Sequence, residues 1–151
     1  MESCLERELQ MQAGEFTIAV LDGPFDAKAL APVLERMPES IGANSCSIAD
    51  ASACQHGTFI IGLLAARRTA ALPGLCPDVR LVHMPLFGRR TTTISVRDLT
   101  KALHAALDAR ATVINLSLAI VGDTVSDRDF LMAALDRAFQ EGAASLSAPT
   151  T

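Results

Sequence analysis

The run Phe16-Thr17-Ile18-Ala19-Val20-Leu21 is rich in β-branched residues, is apolar on both faces, and stops at the turn signal Asp22-Gly23-Pro24. A strand without a polar face must be covered on both sides, the condition of a central strand in a parallel sheet. Two later stretches, Val79–Phe87 and Thr112–Leu118, read as further strands. Helical patterns lie between and after them. One runs from His56 to Arg68. A second, Val96 to Arg110, carries Leu99, Ala102, Leu103, Ala106 and Leu107 on one face. A third, Asp127 to Glu141, carries Phe130, Leu131, Ala134, Leu135 and Ala138, with Gly142 placed to cap it. A shorter helical pattern covers Asp26 to Met37, and residues 38–53 read as loop. Alternation of this kind predicts an α/β fold with right-handed crossovers.

The chain has 151 residues, 50% of them hydrophobic, enough for one domain with a substantial core. Its net charge of −4 and its lack of Trp and Tyr argue against nucleic acid as a partner. Residues 1–15 are mixed and charged, without the apolar core of a signal peptide, and read as a leader. No apolar run is long enough to span a membrane, so a cytoplasmic protein with no membrane partner is expected. The body of the domain is expected over residues 16–142. Residues 143–151 are too polar and too short for a buried central strand and are expected to be an unstructured tail. Four cysteines are present without a CxxC, and a chain this long and apolar does not need disulfides. Cys54-x-His56 has no second Cys/His pair at ligand spacing, so neither a metal nor another cofactor is expected.

Two residues stand where chemistry gathers. Asp22 lies at the carboxyl end of a central strand, the usual location of sites in open α/β sheets. His56 opens an apolar helix, followed by Gly57, which permits close backbone approach, and by Phe59, Ile60, Leu63 and Leu64, which ask for burial. Each has a plain reading as well. Asp22 would cap its turn, and His56 would bond a backbone group. His83 reads as a satisfied or edge histidine of the second strand, His104 as facing out of a helix, and Cys54 as a small buried hydrophobe.

Taken in order, these stretches carry a resemblance. Ile18-Ala19-Val20-Leu21-Asp22-Gly23, then His56-Gly57-Thr58, then Gly74-Leu75-Cys76-Pro77-Asp78-Val79-Arg80-Leu81, then Val113-Ile114-Asn115-Leu116-Ser117-Leu118 are similar to the successive motifs of the subtilisin-like serine proteases. The variant Leu-Asp-Gly-Pro-Phe-Asp resembles the subtilases of cyanobactin maturation. The resemblance runs from about Phe16 to Gly142 and corresponds to the N-terminal half of a subtilase catalytic domain. It implies an incomplete three-layer parallel sheet with flanking helices, with Asp22 as triad aspartate and His56 as general base. It further implies that Ser117, Leu118 and Ala119 form an edge that pairs with the backbone of a peptide or protein substrate. The sequence departs from the family at Ile61, where a small residue is usual, and at Ala119-Ile120, where glycines are usual. No Gly-Thr-Ser nucleophile motif is present, and Ser145 and Ser147 sit in an unpatterned stretch. The expected function is therefore a truncated serine endopeptidase domain, inactive alone. The alternative is a non-catalytic interaction module, or a half-domain completed by a partner chain.

Overall fold

A computed structural model describes residues 16–46, 51–87, 93–117 and 125–147. The leader 1–15 lies outside these residues, as do Leu118, Ala119 and the last four positions. The strands are β1 (Thr17–Asp22), β2 (Glu39–Ser40), β3 (Arg80–Pro85), β4 (Val113–Leu116) and β5 (Ala144–Ser147). The helices are α1 (Ala27–Leu30), α2 (Ser52–Ala65), α3 (Val96–Asp108) and α4 (Val125–Gln140). The strands form one sheet in the order β2-β3-β1-β4-β5, with every pairing parallel. This is the expected α/β class, with the all-apolar first strand at its centre.

Alternation along β1 divides the core in two. Ala19 and Leu21 face a layer built on α3 and α4, where Leu99, Leu103, Ala106 and Ala134 are buried. Ile18 and Val20 face the opposite layer, with Ile61 and Ala65 of α2 and Leu30 of α1. Every residue of β1 is buried, as its lack of a polar face requires. Ile61, which departs from the small residue usual in subtilases, is fully enclosed in that second layer rather than crowding α2 off the sheet.

Several expectations are corrected. The tail from residue 143 is not without structure: Ala144–Ser147 is β5, paired to β4 from Val113↔Ala144 to Leu116↔Ser147. It is the outer strand of the described sheet, and ladder hydrogen bonds at an edge come from backbone, so polar side chains do not oppose it. Likewise β2 lies within the stretch read as loop, on the other edge. The helix α2 begins at Ser52, four residues before His56. Its buried face is Cys54, Gly57, Ile61 and Ala65, while Phe59 and Leu63, expected to be buried, are exposed, as is Phe130 on α4.

The helices α3 and α4 end alike. Ala111 N–H donates to Ala106 and Ala143 N–H to Ala138, the long closing bond of a Schellman turn. The left-handed position is Gly142 (φ 74°) in α4, as expected, and Arg110 (φ 60°) in α3. A side-chain-bearing residue there costs about 1 kcal/mol relative to glycine. Replacing Arg110→Gly is expected to raise stability by about 1 kcal/mol, and Gly142→Ala to lower it by a similar amount, in urea unfolding.

Candidate functional site

The period of two that divides the core also selects which polar groups meet. Asp22 shares the face of Ile18 and Val20, the face covered by α2. In the neighbouring strands Leu81 and Val113 sit beside Ile18, and His83 and Asn115 sit beside Val20. The α2 face is thus apolar at its lower level and turns polar toward the carboxyl ends of the strands. Asp22 is 2% exposed. Its Oδ1 accepts from Gly23 N–H at 2.6 Å and lies 2.8 Å from His56 Nδ1. Asp22 Oδ2 is buried with no partner among the described residues.

The whole of His56-Gly57-Thr58 engages the Asp22–Asp26 turn. His56 meets the carboxylate. Gly57 packs so tightly that a Cβ there would lie 2.5 Å from the carbonyl oxygens of both Gly23 and Pro24. Gly23 answers in kind, since a Cβ on it would lie 2.1 Å from the Ala53 carbonyl oxygen. Thr58 Oγ1 accepts from Asp26 N–H at 2.8 Å and donates to the Cys54 carbonyl at 2.6 Å. Two further contacts hold the turn and the helix. Asn44 pairs with both the N–H and the carbonyl of Phe25, at 2.8 and 3.0 Å. Cys46 and Cys54 are joined as a disulfide, Cα atoms 5.7 Å apart, so Cys54 is buried but not free. The roles of Thr58, Asn44 and this bridge are not legible in the sequence. The last two depend on the loop of residues 41–46 returning to the turn, and the first on the close approach of α2 to Asp26.

An imidazole that donates Nδ1–H to a carboxylate presents Nε2 as an acceptor. His56 is half-exposed, at 50%, and opens on a cleft of about 300 Å³ with Asp22, Ser52, Ala53, Phe87 and Ser117. Ser117 Oγ accepts from Asn115 Nδ2 at 3.0 Å. A buried carboxylate aligning a half-exposed imidazole is an arrangement for taking a proton from a group in that cleft. Among the described residues no three His, Cys, Asp or Glu side chains cluster to hold a metal.

His83 lies beneath this site. It is fully buried, with Nε2 2.9 Å from the Gly23 carbonyl, Nδ1 3.3 Å from Ser40 Oγ, and its ring edge-on to Phe25 at 4.9 Å. It is a satisfied histidine, and not at an edge. Burial holds its pKa below the ordinary 6.5, against the opposing influence of the Gly23 carbonyl and the Asp22 charge. His104 lies on α3 against Arg137, 3.2 Å from Nδ1 to the guanidinium and remote from the cleft.

No protein-family model and no curated protein matches the sequence. Solved structures do. A mutant of the PatA protease domain superposes with a TM-score of 0.73 at 21% identity, over 91% of this chain and 52% of that one. The prenylagaramide maturation protease PagA gives 0.70 at 20% identity, over 95% and 50%. The PatG macrocyclase in complex with a peptide gives 0.66 at 14% identity, over 89% and 51%. The chain therefore has the fold of the subtilisin-like proteases, and it spans about half the length of these structures.

Two measurements check this geometry. Gly57→Ala is expected to cost about 1–3 kcal/mol in denaturant unfolding, because two backbone carbonyls must move. Gly62→Ala, whose Cβ would meet only Leu30 Cδ2 at 3.5 Å, is expected to be neutral or stabilising. Stability should also depend on pH through His83. Its folded pKa lies below 6.5, so between the two values the unfolded chain binds the extra proton. The contribution is complete above the ordinary value and is lost as pH falls through it. His83→Gln should flatten the acid side of a stability-against-pH curve.

Proposed function

We propose that Asp22 and His56 are the aspartate and the general base of a subtilisin-type serine protease site. The hydrogen bond of 2.8 Å between them, at the carboxyl end of the central strand, carries this reading. In the proposed reaction His56 Nε2 takes the proton of a serine hydroxyl as it attacks a peptide carbonyl. Asp22 fixes the Nδ1–H tautomer and stabilises the imidazolium that forms. Ser117, which lines the cleft beside His56, would pair with the substrate backbone together with Leu118 and Ala119, the latter two outside the described residues. The related structures support a peptide substrate, since PagA is a maturation protease and PatG is held in complex with a peptide.

The sequence holds no Gly-Thr-Ser. The nucleophile on this reading comes from residues outside these 151, on the same polypeptide or another, and the chain by itself does not hydrolyse peptides. A cavity of about 740 Å³ between α2 and the face of β1 and β4, lined by Phe16, Ile18, Leu64, Leu75 and Val113, favours this. Phe16 is 44% and Leu75 71% exposed there, an apolar surface suited to a second structural unit. The same surface supports the alternative of a non-catalytic half-domain that binds a partner. The Cys46–Cys54 bridge weighs against the cytoplasmic location expected from the sequence, since such bonds persist in oxidising compartments. Among the described residues no helix is long and apolar enough to cross a membrane.

A serine-directed fluorophosphonate tests the proposal. The chain alone should remain unlabelled. Reconstituted with a segment bearing a subtilase serine motif, it should direct labelling of that serine and peptide cleavage. His56→Ala should then lower turnover by about a million-fold, and Asp22→Asn by about ten-thousand-fold. Labelling of the chain alone, or cleavage indifferent to His56, would refute it.

A further inference from the structure

We propose that His83 is a positioning residue for the Asp22–His56 pair, acting through the carbonyl of Gly23. The inference rests on the reading of that pair as a catalytic dyad, and it assigns a role to a buried histidine which the dyad itself does not use.

The argument begins at the Asp22 carboxylate. Its Oδ2 has no partner among the described residues, and Oδ1 is met by two groups, His56 Nδ1 and Gly23 N–H. The carboxylate is therefore oriented by wherever Gly23 is held. Three contacts hold that glycine. Its N–H is on Asp22, its Cα is pressed against the Ala53 carbonyl, and its own carbonyl accepts from His83. The carbonyl is buried, and Gly57 packs onto it so closely that even a methyl group would not fit between them. Pro24, the next residue, has no N–H to tighten the turn. His83 Nε2 lies 2.9 Å from this oxygen and is placed to donate to it, and a buried carbonyl without a donor is strongly disfavoured.

The imidazole is itself fixed. With Nε2–H given to Gly23, Nδ1 must accept, and Ser40 Oγ is placed at 3.3 Å to donate to it. Phe25 closes the remaining side, edge-on at 80°, and is in turn pinned by Asn44. An apolar residue would fill this space in the manner of Leu81 on the same face, but could not hold the carbonyl. The arrangement demands opposite tautomers at the two ends of one glycine, Nε2–H on His83 and Nδ1–H on His56.

That demand gives the test. In the full chain with ¹⁵N-labelled histidine, long-range ¹H–¹⁵N spectra at mildly alkaline pH should show His83 as the Nε2–H form and His56 as the Nδ1–H form. In His83→Phe, the Nδ1–H population of His56 should fall toward that of a free imidazole. Exchange of the Gly23 amide should quicken on the order of tenfold, as for loss of one hydrogen bond. His83→Gln, which keeps an N–H donor, should restore both. A space-filling role would alter stability while leaving the His56 tautomer in place. An unchanged His56 tautomer and unchanged Gly23 exchange in His83→Phe would overturn the proposal, as would an Nδ1–H form of His83 in the unsubstituted chain. Should His83→Phe not fold, that His83 tautomer and the His83→Gln variant decide it. Failure of the dyad reads differently: His56 of the unsubstituted chain would then lack the Nδ1–H form, whatever His83 does.

Discussion

The close approach of α2 to the Asp22–Asp26 turn is the constraint on which the site depends. Two glycines make it possible, Gly23 against the Ala53 carbonyl and Gly57 against the carbonyls of Gly23 and Pro24. Side chains at either position would hold the helix away from the strand end. The imidazole and the carboxylate would then be separated by more than a hydrogen bond. The glycines work by absence of volume, and the polar groups around them, Thr58 on Asp26 and Asn44 on Phe25, fix what that absence allows. In this arrangement the Asp22–His56 contact is a product of backbone packing before it is a product of charge.

Burial explains why the polar groups around Asp22 are interconnected, its own Oδ2 excepted. The α2 face of the central strands passes from Ile18, Leu81 and Val113 to Val20, His83 and Asn115 within one strand repeat. A histidine placed there has no water to satisfy it, and both its nitrogens find protein partners. Its depressed pKa keeps it uncharged beside a buried carboxylate, whereas His56, half in solvent, faces the cleft with Nε2. Two histidines on one layer thus occupy different electrostatic environments.

Much of this was legible in the sequence, for physical reasons. The both-faced apolar run of residues 16–21 allowed only a central strand, and the amphipathic face of α3 marked its own buried side. Gly142 announced the end of α4. Asp22 was singled out because strand ends collect polar groups, and His56 because it stands just ahead of an apolar helical run, although α2 begins four residues earlier; their motifs also follow in a familiar order. The buried face of α2 was not legible. Its stretch from Phe59 to Leu64 is apolar on nearly every side, so periodicity cannot choose between Phe59 with Leu63 and the observed Gly57 with Ile61. The edge strands β2 and β5 were missed because a parallel ladder is built from backbone. The place of His83 was hidden because it depends on cross-strand register, which no single stretch of sequence carries.

The strand order has a kinetic consequence. β1 is the first of the described strands yet lies in the middle of the sheet, and its partners arrive late: Thr17 bonds Thr112, 95 residues on, and Gly23 waits for His83, 60 residues on. Long-range closures of this kind slow folding, because chain entropy is lost before the contacts that reward it form. Asp22 and His56 are only 34 residues apart, but the surface that seats them is complete only when distant strands have paired. During synthesis β1 therefore emerges as an apolar segment with neither neighbour present, the stage at which the chain is most exposed to aggregation.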